Sequence, residues 1–217
     1  MKDKIIFKCF LPDISFSLEK NKPLNFAWFK KAYEDFKKNT SHMHTVKCPG
    51  INSIIKTGWV QKTYQDIVIT TNGNKYDFSW RSEFDQKNSK YGDIIFDYIN
   101  YHNPSQLDKF RPMNQDTLKT IIKIQSPWVV YVPKGYKLLS MPVAYNDTNV
   151  FTAATGLLGE GLYHMNVQLY WHNLHGETLV KKNTPLAQYI LIKDIDIIEK
   201  FEMAGNKERN YLKQLEH

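Results

Sequence analysis

The chain has 217 residues, 42% of them hydrophobic and 24% charged, with a formal net charge of +7. The length suits one well-buried domain, and the composition is globular rather than disordered. No stretch approaches the ~18 uninterrupted apolar residues of a membrane span, so no membrane partner is expected.

The positive charge is compatible with nucleic acid, but it is dispersed. Lys30/Lys31, Lys37/Lys38 and Lys181/Lys182 lie far apart, and only Arg81, Arg111 and Arg209 supply the guanidinium that forks onto phosphate and guanine. Net charge alone therefore supports nucleic acid, and a small molecule or a protein is the expected partner. The opening "MKDKIIFKCFLPDISF" is interrupted by Lys8, Pro12 and Asp13 and meets no small-residue cleavage site, so a cytoplasmic protein is expected. Cys9 and Cys48 are expected reduced and partly buried. The closing "KQLEH" reads as the start of an affinity tag, which sets residues 215–217 aside from residues 1–214.

Residues 4–18 alternate as an extended segment broken at Pro12. "NFAWFKKAYEDFKKN" (25–39) predicts a helix, because Phe26, Phe29, Ala32, Tyr33 and Phe36 recur at helical spacing. From residue 45 to 193 the pattern changes to short β-branched and aromatic runs split by turn residues. "NSIIKTGWVQ" and "DIVITT" predict strands, "NGN" (72–74) a tight hairpin turn, and "KYDFSWRS" the strand that pairs back. "DIIFDYINY" (93–101) predicts a strand, followed by a loop and then further strands in "IIKIQSPWVVYVPKGYKLLSMPV". Three or four strands are expected over 150–192, and a helix near 195–214, weakened at its centre by Gly205. The fold expected is mainly β: an antiparallel β-sandwich, jelly-roll or β-barrel-like single domain with an N-terminal and a C-terminal helix.

Three side-chain sets carry possible chemistry. His172, His175 and Glu177 fall within six residues, and two imidazoles with a carboxylate suit a divalent metal, Fe or Zn, with open positions for substrate. Strand alternation separates them, because "NLHG" (173–176) reads as a turn that leaves the histidines at a hairpin tip. His42, His44 and Cys48 form a second set without a fourth ligand nearby. His164, Asn166 and Gln168 sit two residues apart, on one face of a strand whose other face is Met165, Val167, Leu169 and Trp171. If the polar face lines a cavity, these groups and Trp171 are the ligand-binding set. No G-x-S-x-G elbow, P-loop or G-x-G-x-x-G is present, and Glu160 and Glu177 are scattered acids.

The run "VQLYWHNLHGETLVKKNTPLAQYILI" resembles the closing strands of dUTPases and dCTP deaminases, through Val167–Leu169, Val180–Lys182 and Leu186–Gln188. The resemblance implies a related β topology. It does not bring the activity with it: Asn183, Thr184 and Pro185 stand where that family has Gly-Asp-Arg, its Arg-Ser-Gly loop is absent, and "LLGEGLYH" replaces its catalytic Asp. The wider layout, "CPGINSIIKTGWV" with the later "SPW", "PKGYKLL" and a Lys-x-x-Pro-Leu strand, is similar to a phage and bacterial family defined only as a domain. That likeness implies one integrated β domain of phage or bacterial source. Three functions follow as expectations. A binding protein with a β cavity comes first, followed by a cupin-like metal-dependent enzyme and then a divergent dUTPase-like nucleotide protein.

Overall fold

A computed structural model describes residues 4–22, 27–38, 45–82, 98–106, 115–196 and 203–215. In chain order the strands are β1 (Ile6–Cys9), β2 (Leu18–Lys20), β3 (Trp59–Lys62), β4 (Ile67–Asn72) and β5 (Ser79–Ser82). They continue as β6 (Ile99–His102), β7 (Ile121–Ile124), β8 (Trp128–Val132), β9 (Tyr136–Met141) and β10 (Phe151–Ala153). The last five are β11 (Gly156–Leu158), β12 (Gly161–His164), β13 (Val167–Trp171), β14 (His175–Val180) and β15 (Pro185–Lys193). Among the described residues three α-helices accompany them: α1 (Ala27–Lys38), α2 (Pro49–Ile54) and α3 (Asn206–Leu215).

The architecture is mainly β, as expected. Among the described residues the strands form four open antiparallel sheets rather than a closed barrel, in the orders β11-β9-β15-β3-β2, β10-β13-β7-β6, β1-β8-β12 and β14-β4-β5. Alternation sets which face is apolar: Val167, Leu169 and Trp171 are buried while Gln168 and Tyr170 between them are half-exposed. One continuous core draws on all four sheets, through Ile67 and Val180, Ile122 and Trp171, Val130 and Val132, and Leu138 and Tyr189. No helix of the described residues is long and apolar enough to cross a membrane.

A second cluster lies against the five-stranded sheet. Phe29 of α1 packs with Val46, Ile55, Val60 and Val143, supported by Trp28, Ala32 and Phe36. Tyr33, expected on the apolar face, points outward, with the Lys37 ammonium over its ring; Trp28 faces the cluster and donates its indole N–H to the Tyr145 carbonyl. Between the two clusters runs β15, whose Leu186, Ala187, Gln188 and Tyr189 are all buried. The buried amide of Gln188 is fully used: Nε2 donates to the Ile54 and Thr57 carbonyls and Oε1 accepts from the Ala144 N–H.

Several elements differ from expectation. "NSIIKTGWVQ" is not one strand: Pro49 opens α2, which ends at Ile54, and β3 starts only at Trp59. "NGN" does not make a two-residue hairpin, since Thr70 pairs with Ser79 and a longer loop intervenes. Strand β13 pairs with β10 and β7, whereas β14 pairs with β4, so "NLHG" belongs to a corner between two sheets rather than a hairpin tip. Six strands, not three or four, fill residues 150–193. Gly205 precedes α3 instead of lying at its centre. Of "DIIFDYINY", residues 93–97 lie outside the described residues and Ile99–Tyr101 lie in β6.

Candidate functional site

Where the polar face of the four-stranded sheet meets β9, β11 and β15, a cavity of about 200 Å³ opens. Its walls include His164, Asn166 and Gln168 together with His102, Lys123 and Ser140. Register explains the convergence. Lys123 on β7 is the cross-strand partner of both Gln168 on β13 and Asn100 on β6, so the three share one face. His102 is two residues along from Asn100 and reaches the same side.

His164 and Asn166 are joined by a closed ring of hydrogen bonds. The Ser126 N–H donates to Asn166 Oδ1 at 3.2 Å, and Asn166 Nδ2 donates to His164 Nδ1 at 3.3 Å. His164 Nε2 then donates to the Ser126 carbonyl. Because a carbonyl only accepts, the ring fixes the neutral tautomer with its proton on Nε2. These two side chains lace the β12–β13 corner to the β7–β8 connection, forming a rigid wall of the cavity.

The remaining polar ends are less committed. Lys123 is half-buried and makes no ion pair among the described residues, and the side-chain amide of Gln168 has no partner there. Gln106 Oε1 accepts from the Asn103 N–H at 2.9 Å and from His102 Nδ1 at 3.2 Å, so His102 carries its proton on Nδ1 and leaves Nε2 for other partners. Among the described residues no carboxylate lines the cavity. Trp171 is elsewhere: it is 1% exposed in the core, stacked on Phe151 with ring centroids 6.1 Å apart.

The metal-ligand candidates do not converge. His172 is held between two threonine hydroxyls, Nδ1 at 3.2 Å from Thr117 and Nε2 at 2.8 Å from Thr152, and burial lowers its pKa. The His175 ring lies against Gly73. Glu177 is clamped by the Arg81 guanidinium through two bonds of 2.7 and 2.8 Å, a pairing that holds its carboxyl below the usual range. His42 and His44 lie outside the described residues, and Cys48, expected partly buried, is exposed. Among the described residues no three His, Cys, Asp or Glu side chains are grouped to hold a metal ion.

No protein-family model matches the chain, and no curated protein matches it. Among solved structures, the chain is similar over 94% of each chain, at 12% identity and a TM-score of 0.40, to a mutant dUTPase of Staphylococcus bacteriophage 80alpha with dUpNHpp. A likeness at that level assigns neither activity nor site.

Lys123 and His102 were not legible as site residues. Each is a lone polar residue in an otherwise apolar or aromatic run, "IIKI" and "INYH". The available signal was the alternation that puts Lys123 and Gln168 on polar faces. Which strands lie side by side is set by pairing across about 45 residues, and that is not written locally.

Proposed function

We propose that this protein binds a small anionic molecule, or the anionic end of a larger one, in the cavity bounded by Lys123, Gln168 and His102. The observation that carries the reading is the charge of the lining: among the described residues it has one half-buried ammonium with no ion pair, and no carboxylate. A lysine of this kind offers a point charge to phosphate or carboxylate, and the Gln168 amide adds a directed donor. His164 and Asn166 position the wall instead of binding directly, because their hydrogen bonds are spent on Ser126 and on each other. A volume near 200 Å³ admits a group of phosphate or small carboxylate size.

Thermal shift and calorimetry against inorganic phosphate, citrate, dUTP and dCTP test the reading. A ligand present at about a hundred times its Kd stabilises by ~2.7 kcal/mol, a rise of about 5 °C or more for a chain of this size. Lys123→Met is expected to keep the unliganded Tm and to lose that rise. An unchanged rise in Lys123→Met, or no rise with any anion, overturns the proposal. Nucleotides that bind where phosphate and citrate do not favour the dUTPase-like alternative.

A further inference from the structure

A second concavity, separate from the first, lies between the edge strands β5 and β6. It measures about 600 Å³ and is lined by Tyr76, Phe78, Trp80 and Tyr101 with Asp77 and Asn103 among its polar groups. Its origin is visible in the register. Trp80 is the cross-strand partner of Ile69, and Tyr101 that of Ile122; both isoleucines are buried in the core. The core layer between the two sheets therefore continues outward to its edges, where it ends in aromatic rings. Those rings stand open: Tyr76 is 56%, Trp80 40% and Tyr101 59% exposed. Phe78 and Tyr101 meet edge to face, centroids 6.3 Å apart and planes at 86°, which makes two walls of the cleft perpendicular.

We infer that this aromatic cleft binds a small organic cation, one carrying an alkylated ammonium group. Ring faces are electronegative, and several of them set around one point attract a desolvated cation more than they attract a neutral group of the same shape. Asp77 supplies the full charge. Its carboxylate accepts from the Asn74 amide and pairs with no cation among the described residues. Among the described residues no lysine or arginine lines the cleft, which favours a cation over a phosphate. The volume, within the roughly 300–1,000 Å³ of small-molecule sites, leaves room for a body beyond the ammonium head. Trp80 and Tyr76 retain their indole N–H and phenol for that body, since neither side chain has a hydrogen-bond partner among the described residues.

Calorimetric titration with choline, with its uncharged tert-butyl isostere and with methyl glucoside tests the inference. Choline is expected to bind about tenfold or more tightly than the isostere, the margin of a desolvated cation–ring contact. Asp77→Asn and Trp80→Leu, both at exposed positions, are expected to lower choline affinity about tenfold while leaving the melting temperature nearly unchanged. Lys123→Met, in the other cavity, is expected to leave choline binding intact, so the two sites fail independently. Equal binding of choline and isostere, preference for the glucoside, or no binding at all overturns the inference. So does an Asp77→Asn variant that binds choline as the parent does.

Discussion

His172 sits where a metal ligand was expected and is instead held by two hydroxyls. Thr117 and Thr152 occupy Nδ1 and Nε2, and each hydroxyl donates or accepts as the neutral ring requires. Burial disfavours the imidazolium, so the folded pKa lies below the 6.5 of the free side chain. The sign of the linkage follows. Between the folded and unfolded pKa values the unfolded chain binds more protons, so stability rises with pH in that window. This contribution is complete above about 6.5 and is lost as pH falls through the lowered folded value. Melting temperature is therefore expected to fall between pH 7 and pH 5, and His172→Gln is expected to flatten that fall. An identical pH profile in parent and variant would show that other groups govern it.

At the scale of the element, two corners share one backbone twist and differ in what surrounds it. Gly58, between α2 and β3, has φ +76°, and a Cβ there would lie 1.9 Å from the Tyr189 carbonyl oxygen of β15. Gly135, between β8 and β9, has the same φ of +76°, but nothing within 4 Å of its Cβ position. Gly135→Ala carries only the left-handed penalty of ~1–2 kcal/mol. Gly58→Ala must also push apart the strands of the five-stranded sheet, and a cost of at least about 3 kcal/mol is expected. Denaturant melts of the two variants measure the difference directly; equal costs would mean that β3 and β15 separate without penalty. Corners of this kind also explain what the sequence conceals. Alternation in "VQLYW" and "DIVITT" reveals faces, and the interrupted β pattern reveals the fold class, because both depend on neighbours in the chain. Helix α2 is missed because Ile51, Ile54 and Ile55 favour strand locally, while Pro49 and the packing of Ile55 under α1 select a helical turn. The route of the chain from β13 into β14 is likewise decided by partners that local patterning does not name.

For the whole molecule, stability depends on pairings that join distant segments. Tyr189 on β15 donates its phenol to Gln61 on β3 across 128 residues, and Ile6 on β1 pairs with Tyr131 on β8. Topologies dominated by such pairings close large loops before contacts repay the entropy, and they fold slowly. β15 is the strand with most at stake. It is central in the five-stranded sheet, joins β3 to β9, and holds both hydrophobic clusters through Leu186, Tyr189 and Gln188. Helix α3 is its opposite, because each of its described side chains is exposed. Removal of residues from 203 onward is expected to shift the melting temperature by no more than about 2 °C, equivalent to a change of at most ~1 kcal/mol. Removal from residue 185 onward is expected to abolish the cooperative transition, leaving sloping far-ultraviolet and absent near-ultraviolet circular dichroism signals. A large loss from the shorter deletion would mean that α3 packs against the sheets. A cooperative melt after the longer one would mean that β3 and β9 hold together without the strand between them.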